Sequence, residues 1–361
     1  MTFPWLELNG RKYLRQQLLD SAVLASARSD FENSTLTFCH DWLAGKNEFT
    51  LTTSGSTGIP KKITLRREQM EASARLTLDA LQLHAGDTAL VCLDTKYIAG
   101  QMMLVRSFLG GMNVVAVEPV ANPFKNLGEH QIDFAAFVPL QIEAILEENH
   151  SKKLNALKCG IIGGASISAS LKPKLEKIKS LLYATYGMTE TVSHIALQKL
   201  NGHHAENSFR VLGNTKIRKD ERGCLVIQTG YLDDPVITND LVNIIDASHF
   251  IWLGRLDNVI NSGGVKISPE HVERIVESVF TEEHLANRFF LAGIADKKLG
   301  QRVVLFVEGS VEEEIQSVIA RKLSMRMAKY EMPKEIKFVS KFSETQSGKI
   351  NRNETIRHLK V

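Results

Sequence analysis

The sequence predicts an α/β fold with α+β elements: a large N-terminal domain, α/β followed by a β meander, and a small C-terminal α+β domain. Two observations predict it. Between residues 51 and 200, short β-rich apolar runs alternate with longer segments of helical spacing, the rhythm of strands joined by crossover helices. A second βα rhythm opens near Asn258, after a stretch of dense strands and polar turns, so the domains are expected at residues 1–256 and 257–361. A chain of 361 residues is long enough to give each its own core.

The elements follow in order. Strands are expected at Lys62–Leu65, Thr88–Leu93, Asn113–Val117, Phe134–Val138, Cys159–Gly163 and Leu181–Tyr186, each β-rich and apolar. Helices fit between them at Arg67–Leu83, Gly100–Leu109, Leu140–Glu148 and Ile167–Lys179. Past Phe209 the strands Arg210–Arg218, Gly223–Thr229, Leu241–Asp246 and Phe250–Leu253 are separated by polar turns, as in an antiparallel meander. The C-terminal unit is expected to hold helices at Pro269–Val279 and Val311–Met327, and strands at Phe289–Ile294, Val303–Val307 and Ile336–Val339.

Composition narrows the function. Apolar residues make up 43% and charged residues 24%, as in a globular protein, with no low-complexity tract or repeat. The net charge of +3, with no basic stripe interleaved with aromatics, argues against nucleic acid and suits an anionic small ligand. The long apolar stretch Met102–Val117 is broken by Arg106, Gly110, Gly111 and Asn113, short of the roughly 20 apolar residues of a membrane span. No signal peptide is visible, so a cytoplasmic location is expected. Cys39, Cys92, Cys159 and Cys224 lie far apart with no paired spacing, which speaks against a disulfide framework and a zinc site.

The chemistry concentrates in a few segments. Thr52-Thr53-Ser54-Gly55-Ser56-Thr57-Gly58-Ile59-Pro60-Lys61-Lys62 gathers glycines, hydroxyls and lysines after a short strand. Glycines let backbone N–H groups approach an anion, and hydroxyl and ammonium groups supply further donors, so the loop suits phosphate. A P-loop is excluded, because it needs Gly before the Lys and Ser or Thr after it, and here Pro60 and Lys62 flank Lys61. Gly163-Gly164-Ala165 follows a strand, and Tyr186-Gly187-Met188-Thr189-Glu190-Thr191 another. Further on stand Thr238-Asn239-Asp240, Gly254-Arg255-Leu256-Asp257, Gly263-Gly264-Val265-Lys266 and Ser347-Gly348-Lys349-Ile350. Taken singly, several have plainer readings: Gly-Gly as a turn, Glu190 as an acid at a helix start, Lys349 as a surface lysine.

In this order these segments resemble the adenylate-forming superfamily, which includes acyl-CoA synthetases, luciferases and peptide-synthetase adenylation domains. The resemblance implies ATP, Mg²⁺ and coenzyme A as ligands, with a carboxylic acid activated as an acyl-adenylate. Thr53, Ser54, Gly55, Ser56, Thr57, Gly58 and Lys61 would then hold phosphates. Gly164, Tyr186 and Gly187 would line the adenine site, and Asp240 and Arg255 would meet the ribose. Thr189 would contact the α-phosphate, Glu190 would hold Mg²⁺, and Lys349 would be the adenylation lysine. Asp257 would be the hinge about which a mobile small domain turns, bringing Gly263 and Gly264 to the pantetheine path. Asn239 departs from the family pattern, which has Gly there.

The acid is read from the next helix. Ile98-Ala99-Gly100-Gln101-Met102-Met103-Leu104-Val105-Arg106-Ser107-Phe108 is apolar but for Gln101, Ser107 and one arginine, and a buried guanidinium needs a partner. That partner is either a carboxylate of the substrate or an acid of the chain. The run, continued through Gly110-Gly111-Met112-Asn113-Val114-Val115 and taken with Phe137-Val138-Pro139-Leu140-Gln141, resembles o-succinylbenzoate–CoA ligases of menaquinone biosynthesis, whose substrate keeps a second carboxylate after activation, and implies Tyr97, Gly100 and Arg106 at the acyl group. Tyr97 stands where many relatives have His, and only about 50 residues precede the phosphate loop. Two alternatives remain: a ligase for another aryl or acyl acid, and a non-catalytic nucleotide-binding sensor. A homodimer is neither required nor excluded.

Overall fold

The computed structural model describes residues 5–53, 61–168, 170–203, 205–344 and 350–359. A 13-stranded mixed sheet forms the larger part and a five-stranded sheet the C-terminal part, with helices packed on both. Six strands at one end of the large sheet run parallel, in the order Leu181–Gly187, Cys159–Ile162, Phe134–Phe137, Thr88–Val91, Asn113–Ala116 and Leu6–Leu8. Their side chains alternate between two cores, as a sheet covered on both faces requires. Ala89, Val91, Val114 and Ile161 face the helices Asp30–Leu43, Arg67–Leu81 and Ile98–Gly110. Leu90, Cys92, Val115 and Ile162 face the helices Pro139–Glu147, Ser151–Asn155 and Lys172–Glu176.

From Leu181–Gly187 the sheet continues antiparallel through His194–Lys199, Phe209–Val211, His249–Arg255, Val236–Ile244, Cys224–Gln228 and Lys216–Lys219. A separate hairpin pairs Glu48–Thr53 with Lys61–Arg66, so that Thr53 faces Lys61 across residues 54–60.

Two sequence expectations are revised, and some elements are new. The helix expected over Ile167–Lys179 is only Lys172–Glu176, with Pro173 in its first turn, where a missing N–H costs nothing. The strand expected over Arg210–Arg218 is two, split by a turn where Gly213 takes a φ of +54°. The N-terminal strands Leu6–Leu8 and Arg11–Tyr13 and the helix Asp30–Leu43 carried no expectation.

The five-stranded sheet begins at Ile260–Ser262 and includes Val265–Ile267, Phe289–Asp296, Gly300–Glu308 and Glu335–Val339. Helices Pro269–Glu282 and Glu313–Arg326 pack on one face around Val272, Val276, Leu305 and Leu323. The helix Arg352–His358 covers the other, with Phe290 and Phe306 beneath it. The small unit docks on the large one where the Ser268 hydroxyl donates to the Leu253 carbonyl oxygen at 3.0 Å.

Candidate active site

The loops that follow adjacent parallel strands open on one edge of the sheet, where α/β folds place their ligands. The loop after Cys159–Ile162 carries Gly163 and Gly164, and the loop after Leu181–Gly187 carries Thr189 and Glu190. Crowding by a side chain at one and by backbone at the other explains two glycines here. A Cβ on Gly163 would stand 2.3 Å from Thr185 Oγ1, and one on Gly187 2.4 Å from the Ser193 carbonyl oxygen. Gly164 takes a φ of +79°. Glu190 is exposed and, like Thr189, has no side-chain hydrogen bond or ion pair among the described residues.

Immediately after them the chain reverses. Val192 has φ 67° and ψ −53°, and Ser193 N donates to the Thr191 carbonyl oxygen at 2.8 Å, which defines a γ-turn centred on a β-branched residue. Such a conformation is strained for valine and persists where surrounding structure over-determines it. Here the Val192 side chain is fully buried in the core, and the Thr191 hydroxyl donates to the Ser193 carbonyl oxygen at 2.8 Å. The turn leaves Thr189 and Glu190 on the outside and sends Ser193 and His194 inward.

There they meet Arg106. Its Nη2 donates to Ser193 Oγ at 2.6 Å and lies 3.5 Å from His194 Nδ1, while His194 Nε2 is 3.1 Å from Thr77 Oγ1. Arg106 is 2% exposed, forms no ion pair among the described residues, and its buried Nε meets no hydrogen-bond acceptor there. Burial pushes the guanidinium below its ordinary pKa. Burial, with the charge of Arg106 beside it, drives His194 well below the usual imidazole range and keeps the ring neutral. A structural pair between Arg106 and an acid of the chain, one of the two expectations, is therefore absent among the described residues.

The rest of this helix start is packing. A Cβ on Gly100 would stand 2.5 Å from the Asp94 carbonyl oxygen, so Gly100 allows the helix to sit against the preceding loop. Tyr97, at the N-cap of the same helix, is half-exposed.

A second group forms on the antiparallel side. Tyr186 packs edge-on against Phe250, and its hydroxyl donates to Asp240 Oδ2 at 2.7 Å. Burial, and then the charge of Asp240, push this phenol above its ordinary pKa. Trp252 Nε1 donates to Asp240 Oδ1 at 3.1 Å, and Arg255 Nη1 lies 3.9 Å from the same oxygen. Arg255 Nη2 is bound to Asp257 Oδ2 at 2.6 Å, and Asn239 Nδ2 donates to Asp257 Oδ1 at 3.0 Å.

Gly263 and Gly264 form the exposed tip of the hairpin closed by Ser262 and Val265, with φ of +60° and +82°, the backbone that a two-residue turn of this kind demands. Ser54, Gly55, Ser56, Thr57, Gly58 and Lys349 lie outside the described residues, as do the side chains of Thr53 and Lys61. Residues 345–349 are framed by a bridge between Glu344 and Ile350.

Residues 44–226 match the model of the AMP-binding enzymes, and residues 276–349 that of the AMP-binding enzyme C-terminal domain. The chain belongs to the AMP-binding enzyme family. Its activity is that of an ATP-dependent, adenylate-forming acyl-CoA ligase. The 2-succinylbenzoate–CoA ligase of Lactococcus lactis is 25% identical over 325 residues, covering 84% of this chain and 69% of that one. A crystal structure of an acyl-CoA synthetase (AMP-forming)/AMP-acid ligase II-like protein from Dyadobacter fermentans is 40% identical, with a TM-score of 0.62 over 94% of this chain and 98% of that one. The o-succinylbenzoate CoA synthetase of Bacillus subtilis, in complex with its acyl-adenylate, is 22% identical with a TM-score of 0.69, covering 84% of this chain and 68% of that one, a likeness of fold.

In this AMP-binding enzyme, the residues that sequence reasoning missed are Ser193, His194, Thr77 and Trp252. A histidine three residues past the Tyr186–Thr191 motif was the available signal for Ser193 and His194, and no sequence signal joins Thr77 to them.

Proposed function

We propose that the chain activates o-succinylbenzoate as its acyl-adenylate and transfers the acyl group to coenzyme A, a step of menaquinone biosynthesis. The observation that carries this is Arg106. A guanidinium buried among apolar side chains, with no acid to pair with among the described residues, is costly unless a ligand brings the countercharge. An acid that retains a second carboxylate after activation brings one, with the Ser193 hydroxyl and neutral His194 beside it. The names of curated relatives at 25–26% identity support the same substrate.

In this reading ATP lies over residues 53–61, with adenine between Gly164 and Tyr186 and the ribose at Asp240 and Arg255. Thr189 donates to the α-phosphate. Glu190, exposed and unpartnered among the described residues, has the hard oxygen donors that Mg²⁺ prefers, and the ion would there neutralise phosphate charge. The substrate carboxylate attacks the α-phosphorus, the bond from that phosphorus to the bridging oxygen breaks, and pyrophosphate leaves. Two anions must meet in that step, so Lys349 supplies positive charge as the small domain closes. Turning about Asp257 then withdraws Lys349 and brings Gly263 and Gly264 to the acyl-adenylate, where the coenzyme A thiol attacks the acyl carbon and AMP departs.

Pyrophosphate release across a panel of acids, with and without coenzyme A, tests the reading. The expected result is a strong preference for o-succinylbenzoate and a coenzyme A adduct detectable by mass. Turnover only with acids lacking a second carboxylate would overturn the substrate and leave the family chemistry standing.

A further inference from the structure

The strands Val236–Ile244 and His249–Arg255 do not pair in simple register. Val242 faces Trp252, but Leu241 faces Gly254 and Asp240 faces Arg255, so Leu253 is an extra residue. Continued without the bulge, the ladder would set Asp240 opposite Gly254, which has no side chain. Regular alternation would also put Trp252 and Arg255, three residues apart, on opposite faces. Trp252, opposite Val242, already shares the face of Asp240, and the bulge brings Arg255 to that face as well, the re-aiming that bulges bring about beside functional sites.

The result is a carboxylate held from two sides. Asp240 is 6% exposed; Oδ2 accepts from the Tyr186 hydroxyl at 2.7 Å and Oδ1 from Trp252 Nε1 at 3.1 Å. Each oxygen keeps lone-pair capacity for one more donor. Trp252 is only half-buried and lies outside the apolar cluster of Phe250, Val242 and Leu225, so burial does not force its indole N–H onto an acid.

We propose that Trp252 is a positioning residue for the nucleotide: its N–H, with the Tyr186 hydroxyl, locks the Asp240 carboxylate so that one free lone pair on each oxygen faces the vicinal hydroxyls of a ribose. This rests on the assignment of Asp240 to the ribose and adds the group that orients it. A carboxylate fixed in advance recognises a diol without first giving up rotational freedom.

The test is equilibrium binding to the full-length protein, which requires no acid substrate. Dissociation constants for ATP and 2′,3′-dideoxy-ATP are compared in the wild type, Trp252→Phe and Asp240→Asn. Trp252→Phe keeps an aromatic ring, though a smaller one, and removes the donor. It should weaken ATP about ten-fold, within the range of a hydrogen bond to a charged group, and leave dideoxy-ATP unchanged. Equal weakening of both nucleotides, or of neither, overturns the proposal. If Asp240→Asn also leaves the ratio of the two nucleotides untouched, the ribose assignment itself fails; if Asp240→Asn collapses the ratio and Trp252→Phe does not, only the role of Trp252 fails. Should Trp252→Phe fold poorly, the indole N–H resonances of the wild type decide. One should shift with ATP and not with dideoxy-ATP, and the absence of any such shift counts against the proposal.

Discussion

Arg106 Nη2 donates to Ser193 Oγ at 2.6 Å, while the buried Nε of the same guanidinium meets no acceptor among the described residues. A charge so placed is kept at the expense of stability, and the natural reason is a ligand. Replacing Arg106 by Met should therefore separate function from folding. Adenylation of o-succinylbenzoate should fall by 100-fold or more, because a hydrogen-bonded charge pair to the substrate is worth about 2–5 kcal/mol. ATP affinity should change less than about two-fold. The melting temperature should hold or rise, since an apolar side chain of similar volume relieves an uncompensated buried charge. A large drop in melting temperature would mean that Arg106 serves the fold.

Glu32 gives the fold an acid-sensitive contact. It is 2% exposed and accepts hydrogen bonds from Asn9 at 2.9 Å and from Arg28, with Arg11 close by. Burial alone would raise its carboxyl, but the hydrogen bonds from Arg28 and Asn9 and the charge of Arg11 overcome it and hold the pKa at about 2. The folded pKa lies below the unfolded value, so the contribution to stability is complete above about pH 4.5 and is lost as pH falls toward 2. Glu32→Gln should cost about 2 kcal/mol at neutral pH, discounting for the partial exposure of both arginines. It should also flatten the decline of stability between pH 4.5 and 2, which denaturant titrations at several pH values would read. An unchanged slope would remove Glu32 from that role.

Five of the six parallel strands were legible because they are continuous apolar runs spaced by helices, and periodicity sees such runs; Leu6–Leu8, three residues long, gave it nothing to see. The helix Asp30–Leu43 escaped notice because its apolar positions are interleaved with Asn33, Ser34, Thr35 and Thr37, residues that read as loop. The candidate site divides along the same line. Motifs contiguous in sequence, such as Tyr186–Thr191, announce themselves, whereas Trp252 reaches Asp240 only across a strand pairing, and Arg255 comes opposite Asp240 only through an extra residue in that ladder. Ser193 and His194 reach Arg106 only through a γ-turn at Val192, a conformation that valine's own preferences deny.

The chain just past Lys349 is anchored in the small unit. Arg352, which opens the last helix, pairs with Glu273 at 2.9 Å, and its guanidinium lies 5.8 Å from the centre of the Phe290 ring. Lys349→Ala should abolish pyrophosphate release and spare thioester formation from supplied acyl-adenylate, because only the first step brings two anions together. Equal loss of both half-reactions would refute the assignment of Lys349.

Gly254 lies between the two units, with a φ of +146° that side chains rarely tolerate. A methyl group there would stand 2.5 Å from Glu270 Oε2 and 2.7 Å from Ser268 Oγ, both in the small unit at the start of the helix Pro269–Glu282. Ser268 Oγ is the group that donates to the Leu253 carbonyl oxygen across the junction, and Glu270 Oε1 accepts from Asn258. Gly254→Ala should therefore cost about 1–3 kcal/mol of local backbone strain and push the small unit from its seat. Calorimetry should show the small unit melting at a lower temperature than in the wild type, and limited proteolysis should cut faster near residues 256–259. ATP affinity should fall several-fold, because the same strand carries Trp252 and Arg255 to Asp240. A variant that melts and cleaves like the wild type would show that the junction tolerates the methyl group, and that Gly254 is not needed for docking.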